Sequence, residues 1–318
     1  MKKQLLRIYR GSAAGKLALG LPRYAYKAIT DRFLSDEDWC RNRFKWDQGY
    51  PVNLQAPKSL NEKLQYLKLY YQEPELVVHA DKYGVRERVR AALGEDVLIP
   101  MLAYATDPNQ IQFENLPEPF IIKPSHSSGK TIIVKDRAKM NWGDVRTACK
   151  GWLKSNFYRA CREWHYKDIP PGIIVERLLQ DQNGEVPSDF KCHCFNGKVF
   201  CVQVDLDRRT NHKRNFYDRN WSLLPFTWSV CVGDTPMWPN GRDVVRPEPL
   251  ARMLEASDTL AKPFPYVRVD WYIVDGKILF GETTFNHGSG FERIVPTEWD
   301  YKLGDMLRLP ETLKQRQS

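Results

Sequence analysis

Three stretches of the chain carry side chains whose types and spacing suit chemistry on phosphates. The first is Pro124-Ser125-His126-Ser127-Ser128-Gly129-Lys130-Thr131. It looks like the end of a G-x-x-x-x-G-K-[ST] loop, but Pro124 stands where the first glycine belongs, and its flanks read as strand and strand. A Ser/Gly-rich hairpin loop still suits an anion, because the small side chains of Ser127, Ser128 and Gly129 let amides and hydroxyls fold over it. Lys123 ends the incoming strand and Lys130 sits at the loop tip; an ordinary solvated turn fits the fragment equally. The second stretch is Tyr266-Val267-Arg268-Val269-Asp270 with Gly281-Glu282-Thr283-Thr284. Arg268 and Asp270 share one face of a strand, and Glu282 and Thr284 share one face of its partner. Paired carboxylates beside a cation suit Mg²⁺, which takes oxygen ligands and nucleotide phosphates. A two-residue turn at Asp275-Gly276 sends Asp270 and Glu282 to opposite faces, so metal ligation requires a longer loop or one bulge. Without either, the two are surface carboxylates on a solvated strand face.

The third stretch is Asp205-Leu206-Asp207-Arg208-Arg209-Thr210-Asn211-His212-Lys213-Arg214, with five basic or imidazole groups in its last seven residues. Guanidinium forks match phosphate and carboxylate alike, although such runs are commonly solvated loops. Cys192-His193-Cys194 is a poor zinc site, since a strand points His193 away from the two cysteines and no second ligand pair is near. An Asn196-Gly197 turn places Cys192 opposite Cys201, within disulfide reach, with packed thiols the default in a reducing compartment.

The elements that must position these groups follow from periodicity. Ser59-Leu60-Asn61-Glu62 is a capping box, followed by Leu60, Leu64, Leu67 and Tyr71 at helical spacing, with Pro74 ending the segment. Asp81 is expected to cap a second helix carrying Val85, Val89 and Leu93, closed by Gly94. Strands are expected at Val97 to Ala105, Pro119 to Lys123, Thr131 to Val134 and Gly172 to Glu176. Hairpins follow from Lys191 to Val204 and from Val267 to Glu282, each on a type I′ dipeptide. Helices are expected from Trp142 to Phe157 and from Glu248 to Lys262. Helices first, then strands interrupted by single helices, define an α+β protein built on antiparallel sheet.

The chain has 318 residues, 42% of them hydrophobic and 12% aromatic, which excludes disorder and gives a prior of about two domains. Its longest charge-free run, Asn220 to Gly233, is fourteen residues and contains Pro225, short of the ~18 apolar residues of a spanning helix. Seven scattered cysteines suit a reducing cytoplasm. The net charge of +9 is uneven: residues 1–30 carry seven basic side chains and no acid, leaving 41 basic against 39 acidic side chains beyond them. The body is thus nearly neutral and carries no recognised nucleic-acid module. The basic segment, with Leu5, Leu6, Ile8 and Tyr9 interleaved, has a composition suited to an anionic inner leaflet, and equally to a solvated helix.

In their order along the chain, Asp81-Lys82, Phe120-Ile121-Ile122-Lys123 with Ser127-Ser128-Gly129, Ile174-Val175-Glu176, Arg268-Val269-Asp270 and Gly281-Glu282-Thr283-Thr284 resemble the ATP-grasp superfamily. The longer motifs Ser59 to Lys68, Asp81 to Arg86, Asp189-Phe190-Lys191 and Asn215 to Trp221 are similar to its TupA-like branch of teichuronopeptide biosynthesis, over most of the chain. The resemblance implies an ATP-grasp fold, two antiparallel-sheet subdomains clasping ATP after a mainly helical N-terminal region. The chain would then divide into a basic segment 1–30, a helical region 31–95, a subdomain 96–175 with the phosphate loop, and a subdomain 176–318 with the metal and substrate site. It further implies that Lys82 and Lys123 reach the ATP phosphates and that Ser127, Ser128, Gly129 and Lys130 form the mobile loop over them. Glu176 would stand at the adenine hinge, and Asp189 at the ribose with Lys191 beside it. Asp270 and Glu282 would hold Mg²⁺, and Arg268, with Lys123, would stabilise charge on the transferring phosphoryl group. Thr284 stands where many relatives have the Asn of E-x-N, with Asn286 two residues on, on the substrate side.

The implied reaction is ATP-dependent joining of a carboxylate to an amine through an acylphosphate, in cell-surface polysaccharide biosynthesis. Its partners would be a lipid- or nucleotide-linked sugar acid, gripped by Arg208, Arg209 and Arg214, and an amine. Two other readings stand beside it: a kinase using the same ATP site, and a non-catalytic binder of anionic surfaces or nucleic acid.

Overall fold

A computed structural model describes residues 34–208 and 210–311, so the basic segment 1–30 and Arg209 lie outside the described residues. Helix α1 (Asp36–Gln48) opens on Ser35, whose hydroxyl accepts from Asp38 N, and closes on Gly49 at φ 89°. Helix α2 (Leu60–Tyr70) has the expected capping box: Ser59 Oγ accepts from Glu62 N at 3.2 Å and Glu62 Oε2 accepts from Ser59 N at 3.2 Å. Pro74 begins α3 (Pro74–Ala80), where its missing N–H costs nothing. Asp81 does not cap the next helix. Its carboxylate accepts from Tyr83 N and closes a turn, and α4 (Val85–Leu93) starts after Gly84.

The first sheet is antiparallel, in the order β1 (Met101–Ala105), β4 (Ile173–Arg177), β2 (Phe120–Pro124) and β3 (Ile132–Val134). The strand expected from Val97 begins only at Met101, because residues 95–97 form a 3-10 turn. Helix α5 (Trp142–Leu153) covers the sheet, with Val145 and Cys149 against Phe120, Ile122, Val134 and Val175. It stops short of Phe157, and α6 (Tyr158–Cys161) follows.

The second sheet has five antiparallel strands, built from β5 (Asp189–Phe195), β6 (Lys198–Leu206) and β7 (Lys213–Tyr217). Between β7 and the last pair lie β8 (Thr227–Ser229), the small hairpin β9 (Cys231–Val232) and β10 (Thr235–Pro236), and helix α7 (Leu250–Ala261). Strands β11 (Tyr266–Val274) and β12 (Lys277–Thr284) complete the order β12-β11-β5-β6-β7. β13 (Arg293–Val295) pairs with β8, and α8 (Glu298–Met306) ends the fold. One face of the large sheet is apolar: Cys192, Cys194, Val202, Val204, Val269 and Trp271 are buried with Met253 and Leu260 of α7. At about 1.5–3 kcal/mol per fully buried side chain, this face anchors the sheet. The opposite face carries Lys191, His193, Gln203, Asp205, Arg214, Arg268 and Asp270, all buried.

Two bulges set which residues share that face. In the β5–β6 hairpin the turn falls at Asn196 and Gly197, both at positive φ, but Cys194 opposes Val199 while His193 opposes Cys201. The extra residue, Phe200, shifts the ladder, so Cys192 faces Val202 and the expected opposition of Cys192 to Cys201 does not occur. All seven cysteines are free thiols. In the β11–β12 hairpin, Val274 opposes Lys277 and Trp271 opposes Phe280, yet Asp270 opposes Glu282. Gly281 is the extra residue, and it supplies the irregularity that a shared metal requires.

The helical region is fastened to the far end of the chain. Asn61 N donates to Asp300, Lys63 Nζ to the carbonyls of Gly304 and Leu307, and Gln65 Nε2 to those of Ser289 and Gly290. Gly304 permits the approach, since a Cβ there would lie 2.0 Å from Lys58 O. No helix among the described residues is long and apolar enough to cross a membrane.

Candidate active site

The site begins at the turn after α3. Lys82 N donates to Ser125 O, and Lys82 Nζ donates to Ser127 O at 2.9 Å while lying 3.3 Å from Glu282 Oε2. One lysine thus joins the loop after β2 to the end of β12. The loop's base is held by buried His126, whose Nδ1 accepts from Gly172 N at 3.3 Å and whose Nε2 lies 3.2 Å from Trp152 O. Ser127 is buried with its hydroxyl unpartnered, Ser128 is half-buried, and Gly129 is exposed at φ 77° with open space around it. Lys130 Nζ donates to Ser155 Oγ. On the sheet itself, Lys123 of β2 pairs with Glu176 of β4 at 3.0 Å, and Arg86 of α4 takes the other oxygen of Glu176 at 3.0 Å.

Across from them, Arg268 binds Asp270 with two parallel hydrogen bonds of 2.7 Å, and its Nη2 lies 3.7 Å from Glu282. Burial raises the Asp270 pKa above the usual carboxylate range despite Arg268. Burial opposes the charge of Glu282 too, but Lys82 and Arg268 outweigh it and hold that carboxyl low. Mg²⁺ typically uses one or two carboxylates and completes its shell with water and phosphate, so the opposed Asp270 and Glu282 fit its donor set. Among the described residues no group of three or more His, Cys, Asp and Glu side chains could hold a metal by itself.

Asp189 and Lys191 lie further along the same face. Lys191 is paired with Asp189 and, at 3.2 Å, with Asp205, while Arg208 reaches Asp189 at 3.2 Å from a largely exposed position. Arg214 is placed differently from its expected role as a substrate grip. It is buried, and its guanidinium is committed to Asp205 at 2.8 Å, Glu292 at 2.8 Å and Trp228 O at 2.6 Å. Asn286 is also buried, and its amide donates to Leu64 O. Burial opposes the charge of Asp205, yet Arg214 and Lys191 outweigh it and hold its carboxyl far below the usual range. Cys192-His193-Cys194 points its histidine onto the polar face, where it contacts Tyr266 and Gln203, each at 3.0 Å. Sequence reading misses the roles of Arg86, Asp205, His287 and Glu292 in this network. A carboxylate opening a basic run is a signal for Asp205, and Arg86 closes the Asp81 to Arg86 motif; for His287 and Glu292 no local pattern exists.

Two antiparallel sheets bridged by Lys82, which stands in the turn after α3 and reaches both the loop after β2 and Glu282 of β12, have the arrangement of an ATP-grasp enzyme. A family model described as TupA-like ATP-grasp matches residues 62–308, and the chain belongs to that family. No curated protein sequence matches it. Among solved structures it is similar to the D-alanine–D-alanine ligase of Bacillus anthracis complexed with ATP, at 16% identity and TM-score 0.42, over 75% of this chain and 66% of that one. It is also similar to the ATP-grasp ligase PsnB complexed with minimal precursor, at 14% identity and TM-score 0.39, over 74% and 62%. A third is purK, an N5-carboxyaminoimidazole ribonucleotide synthetase in its ADP complex, at 13% identity and TM-score 0.40, over 70% and 50%. The chain spans 66% or less of the length of each of these three.

Proposed function

We propose that this protein is a cytoplasmic ATP-dependent carboxylate–amine ligase that attaches an amino acid or amine to a uronic-acid-type carboxylate during cell-surface polysaccharide assembly. The observation that carries the reading is the cluster of Lys82, Arg268, Asp270 and Glu282, drawn together beneath the Ser127-Ser128-Gly129 loop. Phosphoryl transfer needs positioning and charge neutralisation more than covalent chemistry, and this cluster supplies both. Each cation now rests on a protein carboxylate: Lys82 on Glu282, Lys123 on Glu176, Arg268 on Asp270. Nucleotide binding is an exchange of partners, in which Lys82 and Lys123 turn to phosphate oxygens. Glu282, released by Lys82, and Asp270, through the lone pairs that Arg268 leaves open, would hold Mg²⁺, which would supply neutralisation of phosphate charge. Glu176 stands at the adenine hinge and Asp189 at the ribose, and Ser127, Ser128, Gly129 and Lys130 close over the phosphates. With water excluded, the substrate carboxylate takes the γ-phosphoryl group under Arg268, and the amine then displaces phosphate. Arg208 is the exposed cation placed to meet the anionic sugar.

The test pairs nucleotide-linked uronic acids with each amino acid and measures ADP and free phosphate. Release of both, requiring both substrates, is the expected result. ADP with a phosphorylated product and no free phosphate identifies a kinase instead.

A further inference from the structure

The guanidinium of Arg268 is held from two sides. Asp270 takes Nε and Nη2, and His287 Nδ1 lies 2.8 Å from Nη1. His287 Nε2 in turn lies 3.1 Å from Glu292 Oε2. Arginine has only donors, so the imidazole nitrogen facing it must accept. That fixes the tautomer: Nδ1 is bare, and the ring proton sits on Nε2, a buried atom that lies beside the Glu292 carboxylate without a hydrogen bond in line among the described residues. We infer that His287, wedged between aromatic rings beside Glu292, is a positioning residue that aims Arg268 at the transferring phosphoryl group.

The fold builds this arrangement deliberately. Gly288, Ser289 and Gly290 all lie at positive φ and turn the chain back on itself. A Cβ at Gly288 would lie 2.4 Å from Glu292 Cγ, so glycine is what lets Glu292 return beside the histidine five residues earlier. The ring is packed edge-on against Trp228 at 4.4 Å and His193 at 4.9 Å, which blocks its rotation. Burial keeps His287 neutral, at about 4, against the pull of Glu292. Burial opposes the charge of Glu292 too, but its pKa is held at about 2, by His287 when that ring is protonated in acid and by Arg214 at 2.8 Å throughout. Asp270 and His287 together occupy three of the five guanidinium N–H bonds, which leaves Nη1 and Nη2 one hydrogen each for a ligand.

The inference rests on the reading of Arg268 as the cation facing phosphate, and two measurements separate their fates. In the ¹⁵N-histidine-labelled full chain, the His287 signal, assigned by its loss in His287→Asn, is expected to show a protonated Nε2 and a bare Nδ1 at pH 7. A protonated Nδ1 overturns the relay whatever the enzyme does. The second measurement titrates MgADP with and without aluminium fluoride, a mimic of the phosphoryl group in flight. An asparagine oxygen can stand in the place of Nδ1, whereas a glutamine reaches the place of Nε2. His287→Asn is therefore expected to bind the fluoride complex within about threefold of wild type, while His287→Gln and His287→Ala lose about tenfold or more, with MgADP alone unchanged in all three. Glutamine rescuing better than asparagine, or an equal loss of MgADP itself, overturns the positioning role. Wild type that binds neither nucleotide form sinks the ligase reading, and the tautomer then stands as a structural device only.

Discussion

At the scale of single residues, the polar face of the large sheet separates groups that hold the fold from groups that are placed to turn outward. Glu282 balances Lys82 and Arg268. Glu282→Gln leaves two cations facing each other and removes a metal oxygen's charge, so ADP release in the productive substrate pair is expected to fall about 100-fold or more. An unchanged turnover would refute the placing of the site. Arg214 is the opposite case. Replacing it with methionine leaves buried Glu292 without a permanent cation and Asp205 with Lys191 alone, a loss of about 3–5 kcal/mol that denaturant unfolding would register. Arg208→Ala, at an exposed pair with Asp189, is expected to cost well under about 1 kcal/mol and instead to weaken the anionic substrate, seen as a raised KM. The sequence marks Arg208 and Arg214 alike as members of one basic run. What separates them is which one falls within a strand facing Glu292, 78 residues away, and a local pattern carries no such information.

At the scale of elements, the type I′ dipeptides place both hairpin turns where the sequence puts them, and the capping box of α2 is present to the atom. The bulges are less legible. Nothing in Val199-Phe200-Cys201 announces an extra residue, whereas the Gly281 bulge is foreseen only because two carboxylates make chemical sense on one face. The start of α2 also carries a pH dependence. Asp300 of α8 accepts from Asn61 N, and burial raises its pKa to about 6. The folded state therefore holds this proton more tightly than the unfolded chain. The resulting stability is fully present below about pH 4 and is lost as pH rises through 6. Asp300→Asn keeps an acceptor for Asn61 N without the charge. Its Tm is expected to exceed that of wild type at pH 8 and to converge with it near pH 4.5; a constant difference across that range would exclude Asp300 as the titrating group.

At the scale of the molecule, charge and chemistry separate. The seven basic side chains of residues 1–30 hold most of the +9, while the site needs a handful of cations already balanced by acids. If this segment lies on an anionic leaflet, deleting residues 1–28 abolishes sedimentation with anionic vesicles and leaves ADP release intact; vesicle binding unchanged by the deletion disposes of the membrane reading. The fastening of α2 to the far end of the chain has a consequence in time. Its partners, from Asn286 to Leu307, follow it by more than 220 residues. At about 5–20 residues per second of synthesis, an eleven-residue helix too short to persist alone waits on the order of ten seconds or more for them. The first helices and the segment that carries His287 and Glu292 must therefore order together, late, so that a nascent chain halted anywhere before them exposes its beginning to proteases and chaperones for want of its end.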